Sequence, residues 1–539
     1  MSVARVLKSF PKTFWVANTI ELFERWAWYG FFMLFANYLT GSSDAGGLEF
    51  TQSEKGLIMG IGTGILYFLP VVTGSIADKY GYKKVLFLSF IIYISAFILL
   101  PQLDTFTGVF IAYLYLALGA ALFKPIVSAT VAKTTNDENA SIGFGIFYMM
   151  VNIGAFFGPL VTLLFKGSQL IFYISAAMIL VNFILLLFFD EPKTTEEKKE
   201  AATYSFWNLI QTLIVSTLIF MSLFGIFLLI WLIERPLFIV RLFFPYGEQV
   251  AFRWAKLVNL MPIGESNKSV FNNTTSIFKD TKFITFLVIV SGFWTMYLQL
   301  FFTLPVFIAQ WVDTSGVYAF FSEYMPFFSD NYGMANGQME AEFITNFDAM
   351  FIIIFQIVVS SIVMRMKPLS SMMVGFLVCA IGMTLTLMTQ NVMFTIGAMF
   401  IFAVGEMAGS PKITEYIGRI APSDKKAIYM GYSFIPVFIG NVLAGLISGD
   451  VYQKISDKVE FVKVEAASLN LSIPTGLSNN AYFDTVAEKM NMNSIELTHH
   501  LWEKYHPSQI WYVIFSIGLI AVISLFLYDR FLINKDASK

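Results

Sequence analysis

Long apolar runs alternate with short polar segments along most of this chain, and each run is about the ~20 residues that a helix needs to cross a bilayer. About twelve can be marked. Six lie at roughly 14–39, 56–77, 84–101, 107–132, 142–166 and 169–189. Six more lie at roughly 282–311, 348–364, 369–389, 393–417, 427–449 and 509–533. The pattern predicts an all-α polytopic membrane protein built from two six-helix bundles, 1–190 and 281–539, joined by a linker and insert over 191–280.

Lysine and arginine near helix ends set the expected orientation. Lys8, Lys12, Lys79, Lys83, Lys84, Arg365, Lys367 and Arg530 fall on one side if both termini are cytoplasmic, and Arg5, Lys425, Lys426 and Lys535 fall there too. The opposite loops, such as Gly41–Thr51, are less basic. Within the insert, Phe206–Ile233 is long enough to span and Pro236 ends it. Arg241, Glu248, Arg253 and Lys256 interrupt the following run. A hairpin of two helices over 206–262 is expected, with an interfacial arrangement as the alternative. Two long loops, 312–347 and 450–508, are expected outside, with short helices in Tyr482–Trp502 of the second.

Composition agrees with a membrane protein. Of 539 residues, 57% are hydrophobic and 13% charged, where a soluble chain has about a quarter charged. A net charge of −2 gives no reason to expect a nucleic-acid partner. The lone Cys379 excludes an internal disulfide or cysteine metal cluster. His499, His500 and His506 share one polar loop, but adjacent histidines on a helix point apart, so no metal site is expected. No nucleophile–base pair or phosphate loop appears, which argues against an enzyme. The first apolar run is too long and too charged for a cleavable signal, so it is expected to stay as a helix.

That first span holds the most informative chemistry. Glu21, Glu24 and Arg25 sit in an otherwise apolar segment, and each charge at mid-bilayer costs roughly 2.5–3.5 kcal/mol on insertion scales. Glu21, Arg25 and Tyr29 are four apart and share one helix face. Lys124 and Glu406 are charges in apolar helices of opposite halves. Paired, they would offset part of their burial cost, and a pair that forms and breaks would act as a latch.

The loop Gly74-Ser-Ile-Ala-Asp78-Lys-Tyr-Gly81-Tyr-Lys83-Lys84 resembles the cytoplasmic loop signature of the major facilitator superfamily. Glu21-Leu-Phe-Glu24-Arg25-Trp-Ala-Trp-Tyr29-Gly30 resembles a signature of the proton-dependent oligopeptide transporters within it. Gly119–Ser128 with Lys124-Pro125, Phe147-Tyr148…Asn152-Ile-Gly154, Gly405-Glu406…Ser410-Pro411 and Gly440-Asn441 resemble further elements of that family, in order. The resemblance implies the major facilitator fold, alternating access and proton-driven import of di- or tripeptides. It implies that Glu21, Glu24, Arg25, Lys124 and Glu406 couple protons. It places Arg25, Tyr29, Tyr67, Lys124, Asn152 and Glu406 on the substrate, with Lys124 and Glu406 toward the peptide termini; beside it, Trp294 on the seventh span is read as a candidate wall or as core packing, and Asp348 as a candidate substrate contact if it faces the cavity. Gly74, Asp78, Gly81, Lys83, Lys84, Pro125 and Pro411 are the expected gating and structural positions. A monomer in a bacterial inner membrane, without cofactor and energised by a proton gradient, is expected.

Four positions depart from the family pattern. Phe32 stands where an arginine is frequent, Leu298 where an acid is, Ser433 where a tryptophan is, and Asp348 near a usual asparagine. Losing Phe32's arginine and Leu298's acid together is coherent, since each would otherwise be stranded. Asp348 would add negative charge beside Glu406 and favour amine-bearing substrates. These departures keep two alternatives open: a same-fold carrier of modified peptides, amino-acid conjugates or organic anions, and a receptor or scaffold that does not transport.

Overall fold

The structure, a computed structural model, describes residues 7–136, 139–165, 169–192, 203–215, 217, 280–422 and 426–533. Helices account for all its regular structure apart from isolated β-bridges. The first half contains α1 (Lys12–Thr40), α2 (Gln52–Phe68), α3 (Pro70–Tyr80), α4 (Tyr82–Leu99), α5 (Phe106–Lys133), α6 (Ala140–Leu163) and α7 (Leu170–Leu187). The second begins with α8 (Thr281–Tyr297), α9 (Gln299–Phe302) and α10 (Leu304–Trp311), followed by α11 (Ser315–Tyr324), α12 (Pro326–Tyr332) and α13 (Ala341–Thr345). It continues through α14 (Phe347–Val363), α15 (Pro368–Thr386), α16 (Val392–Ile420), α17 (Lys426–Tyr432) and α18 (Ile435–Leu446). A cap of α19 (Tyr452–Ile455), α20 (Lys458–Ser468), α21 (Asn479–Lys489) and α22 (Ser494–Tyr505) precedes the last span, α23 (Ile510–Tyr528).

Ten helical stretches among the described residues are long and apolar enough to span a bilayer. The charged α1 and the α2–α3 pair complete two sets of six. The expected runs therefore stand, with refinements at three places. Leu69-Pro70 splits the second span, because proline lacks the N–H that a continuous helix requires. The seventh breaks at Leu298 and Thr303 into α8, α9 and α10. The 312–347 segment, read as a polar loop, holds three short helices whose Phe321, Phe328, Tyr332 and Phe343 pack on one another. Most of the expected 206–262 hairpin lies outside the described residues. Its start, Phe206–Val215, is a helix docked on the first half, with Phe206 against Phe87 and Thr212 bonded to Tyr80. Arg5, Lys425 and Lys535 are also outside the described residues.

The halves meet most tightly at the end that carries loops 41–51 and 312–347. A Cβ added at Gly56 of α2 would fall 2.2 Å from the Gly445 carbonyl of α18, and one at Gly60 would fall 2.9 Å from Gly445 Cα. Spacing of small residues four apart on each helix allows this backbone contact. Polar bonds between the halves gather at the same end. Asn37 donates to Glu342 at 2.8 Å, Lys55 Nζ to the Phe302 carbonyl at 2.9 Å, and Gln52 to Asp457 at 3.1 Å.

A branched side chain at Gly56 has no room while this end is closed. Gly56→Val is expected to lower the melting temperature in detergent by an amount equivalent to about 1–3 kcal/mol, typical of overpacking. A cysteine replacing the buried Gln52 should react slowly with a water-soluble maleimide in the parent and several-fold faster with Gly56→Val. Equal rates would show that the glycine contact does not hold this end shut.

Candidate functional site

Gly154 of α6 positions the charged face of α1. A Cβ there would lie 2.7 Å from the Leu22 carbonyl and 2.8 Å from Arg25 Cβ, so only glycine lets α6 lie against α1 at this level. Arg25 is thereby closed off from water, with 4% of its surface exposed, and Glu24 has none. Its guanidinium forks onto Glu24, with Nε 2.5 Å from Oε2 and Nη2 2.6 Å from Oε1. Glu21 lies 3.4 Å from Nε on the same face. Tyr93 of α4 donates its hydroxyl to Glu24 Oε1. Bidentate, charge-assisted bonding of this kind is strong in a low-dielectric setting. Tyr29 lies under the guanidinium at 5.8 Å.

Lys124 lies beside this cluster, within electrostatic range of Arg25, Glu24 and Glu21. Its ammonium sits 4.1 Å from the Tyr67 ring centroid, a cation–π contact. Pro125, next along α5, cannot donate a backbone hydrogen bond to Ala121, and Thr73 of α3 supplies the missing donor at 2.6 Å. Counting formal charges, Glu21 and Glu24 balance Arg25 and Lys124 in the first half.

The second half has no such balance. Glu406 accepts from Tyr297 at 2.8 Å through Oε1, while its Oε2 has no hydrogen-bond partner among the described residues. Asp348 Oδ1 is also without one. Both residues are buried and lie within electrostatic range of each other. No lysine or arginine forms an ion pair with either among the described residues. Tyr148 of α6 is within range of both carboxylates, and Tyr29 of α1 is within range of Glu406, so the first half presents phenols to this pair. An isolated buried carboxylate is costly unless a proton or a cation neutralises it.

The remaining predicted residues fall in several places. Lys124 and Glu406, read as partners across the halves, make no ion pair with each other here: Lys124 is over Tyr67, and Glu406 is on Tyr297. Asn152 is half-buried and donates to the Tyr148 carbonyl of its own helix at 2.8 Å. Trp294 packs against Tyr297 and over Gly440, and its Nε1 is buried without a partner among the described residues. Pro411 lies inside α16. Gly81 has φ +96°, a conformation that favours glycine at the turn into α4. Asp78 accepts from Tyr82 at 2.9 Å, Lys84 donates to the Tyr204 carbonyl at 2.8 Å, and the Lys83 amide donates to Glu191 at 2.9 Å. The loop thus holds the linker against the first half. A methyl at Gly74 would meet Pro125 Cβ at 3.6 Å, an ordinary contact.

At Phe32, apolar contact stands where the family pattern has a charge. Phe32 packs on Phe301 and Phe302 across the halves, with ring centroids 5.7 and 6.2 Å apart. Ser433 turns back onto the Met430 carbonyl at 2.6 Å. Sequence reasoning missed Tyr93, Tyr148 and Tyr297. Tyr148 was inside a quoted motif, but Tyr93 and Tyr297 carry no local signal and become visible only once the helices are packed. Among the described residues no group of His, Cys, Asp and Glu could hold a metal, and His500 instead bonds Glu465 of the cap at 2.9 Å.

Two bundles of six helices, with buried ionisable groups along their seam, define a membrane transporter. Residues 19–445 match the Major Facilitator Superfamily model, and the chain belongs to that superfamily. Among curated proteins it is 31% identical over 159 residues to dipeptide and tripeptide permease A of Escherichia coli, covering 28% of this chain and 30% of the permease. It is 29% identical over 148 residues to the peptide transporter YePEPT of Yersinia enterocolitica, covering 26% and 29%. The matched stretches thus span less than a third of these relatives' length. Over nearly the whole chain, the fold is that of solved POT transporters. A POT family transporter in complex with 5-aminolevulinic acid aligns with TM-score 0.62 at 17% identity, covering 97% of this chain and 99% of that one. A peptide transporter POT in complex with sulfate aligns with TM-score 0.61 at 18% identity, covering 96% of this chain and 95% of that one.

Removing Glu24 leaves a buried guanidinium with only the longer Glu21 contact. Glu24→Ala is expected to destabilise the protein by about 3–5 kcal/mol, as for other broken buried pairs. Glu21→Ala should cost less, because Arg25 keeps its fork. Thermal melting of the two variants in the same detergent checks this, and an equal loss for both would refute the ranking.

Proposed function

We propose that this protein is a proton-coupled symporter that imports small peptides or peptide-like amino compounds by alternating access, with both termini cytoplasmic. The observation that carries this reading is the uncompensated Asp348–Glu406 pair facing a charge-balanced Glu21–Glu24–Arg25–Lys124 group. An α-ammonium supplies the positive charge and N–H donors that the pair lacks. Lys124 and Arg25 offer cations to a carboxylate. Tyr29, Tyr67 and Asn152 would supply hydrogen bonds to a peptide backbone, and Trp294 an apolar wall.

Proton coupling follows from competition. A substrate carboxylate that draws Lys124 or Arg25 leaves Glu21 or Glu24 less compensated, and a proton then restores neutrality. Protonation of Glu406 or Asp348 plays the same part when no ammonium is bound. The closed loop-bearing end corresponds to a state facing the termini, and rocking of the halves would break the Asn37–Glu342 and Lys55–Phe302 bonds. Asp348, together with Phe32, Leu298 and Ser433, favours substrates that are recognised chiefly by their amine, so modified peptides and amino-acid conjugates belong in the candidate set.

Uptake of labelled dialanine into proteoliposomes under an inward proton gradient tests the reading. Gradient-driven accumulation is expected, and Glu406→Gln should abolish it. N-acetylation of a competing peptide, which removes its charged amine, should weaken inhibition about 10–100-fold, the value of a hydrogen bond to a charged group. Asp348→Asn should shrink that difference. Dialanine uptake that ignores the gradient would reject proton coupling, and indifference to acetylation would reject the amine site.

A further inference from the structure

A cavity of about 1350 Å³ lies at the loop-bearing end, lined by both halves and by the cap. Asp44, Asp104, Asp313, Glu340, Glu342 and Asp484 are its carboxylates. Lys458 and His499 are the lining groups able to carry positive charge, and Lys458 Nζ sits over the Phe483 ring at 4.4 Å. The hydrogen bonds recorded for three of the acids come from neutral donors. Asn480 donates to Asp44 at 3.0 Å, Gln338 to Asp313 at 2.9 Å, and Ser494 to Asp484 at 2.7 Å. Hydrogen bonding from Ser42, partly opposed by burial, holds the Asp44 carboxyl below its ordinary range. At Asp313 burial acts upward, but the Ser315 and Gln338 donors outweigh it and hold that carboxyl low as well.

Glu342 is an independent sign of a ligand. It is 2% exposed and lines the cavity at its junction with the closed seam. Oε1 accepts from Asn37, but Oε2 has no hydrogen-bond partner among the described residues. A buried carboxylate oxygen without a donor is costly, and a cation carrying N–H groups relieves it.

We propose that this cavity is a holding site for small amine cations, with Glu342 as the ligand at its floor and the surrounding acids concentrating cations from solution. An ammonium on Oε2 would share the Glu342 carboxylate with Asn37, which bonds Oε1, so the site adjoins one of the bonds that join the halves. The proposal concerns a station outside the central pair and stands whether or not the chain carries peptides.

The test uses the full-length protein in nanodiscs. The native Cys379 is buried, so a cysteine placed at Ile495 (67% exposed, on the cavity wall) or at Thr498 provides the reactive thiol. Its modification is followed with a trimethylammonioethyl and a sulfonatoethyl methanethiosulfonate, each rate normalised to free cysteine. At low salt the cationic reagent should be preferred about 10-fold or more, as for a cleft lined by one sign of charge. The preference should fall toward unity at about 1 M salt, where the Debye length is short. Lysinamide should slow modification by an uncharged reagent, and N-acetylalaninamide should not. Glu342→Gln, which keeps an acceptor for Asn37, should remove the lysinamide protection. Equal normalised rates, or a cation preference without lysinamide protection, would overturn the proposal. Protection that survives Glu342→Gln would overturn Glu342 as the ligand. Dialanine uptake in the same variant separates this outcome from failure of the transport reading.

Discussion

The guanidinium of Arg25 constrains everything around it. A permanent cation in an apolar helix survives only if an anion meets it closely, and Glu24 does so through both oxygens. That fork needs α6 to lie against α1, hence Gly154, and it needs a donor from α4, supplied by Tyr93. One ion thus ties three helices of the first half together. It also leaves the first half electrically quiet. The carboxylates that no lysine or arginine pairs with among the described residues, Asp348 and Glu406, lie across the seam.

The contact across the seam is mostly apolar. Phe32 occupies a position where an ionic contact could have joined the halves, and it rests on Phe301 and Phe302 instead. Apolar packing is non-directional and tolerates sliding better than a bidentate ion pair does. Directional bonds are placed further out, at Asn37, Gln52 and Lys55, where loops and cap surround them. The glycines of α2 and α18 set how near the halves can come.

Much of this was legible in the sequence. Twelve apolar runs, a charged first span and motifs in order are local patterns, and each survives folding. Glu21, Glu24 and Arg25 could be grouped because helical spacing alone puts them on one face. Asp348 could be singled out because it broke a pattern. Relations between helices far apart in sequence were not legible. Nothing near Tyr93 says that it meets Glu24, sixty-nine positions away. Lys124 and Glu406 were complementary in charge, yet charge alone does not choose between an opposing carboxylate and the face of Tyr67. The helices of 315–332 were hidden because their turns are short and their apolar residues face one another within a polar stretch.

The cap belongs by connection to the second half, but its edge is bonded to the first. The amide of Asn479 donates to Glu49 at 2.7 Å, and that of Asn480 to Ser42 at 3.0 Å. Residues 42–49 and 478–480 therefore form one continuous patch on the surface only while the halves stand in this relation. Such a composite patch is a conformational epitope. An antibody fragment that recognised both pieces together would trap the protein in one state, and its binding kinetics would count how often the other state is visited.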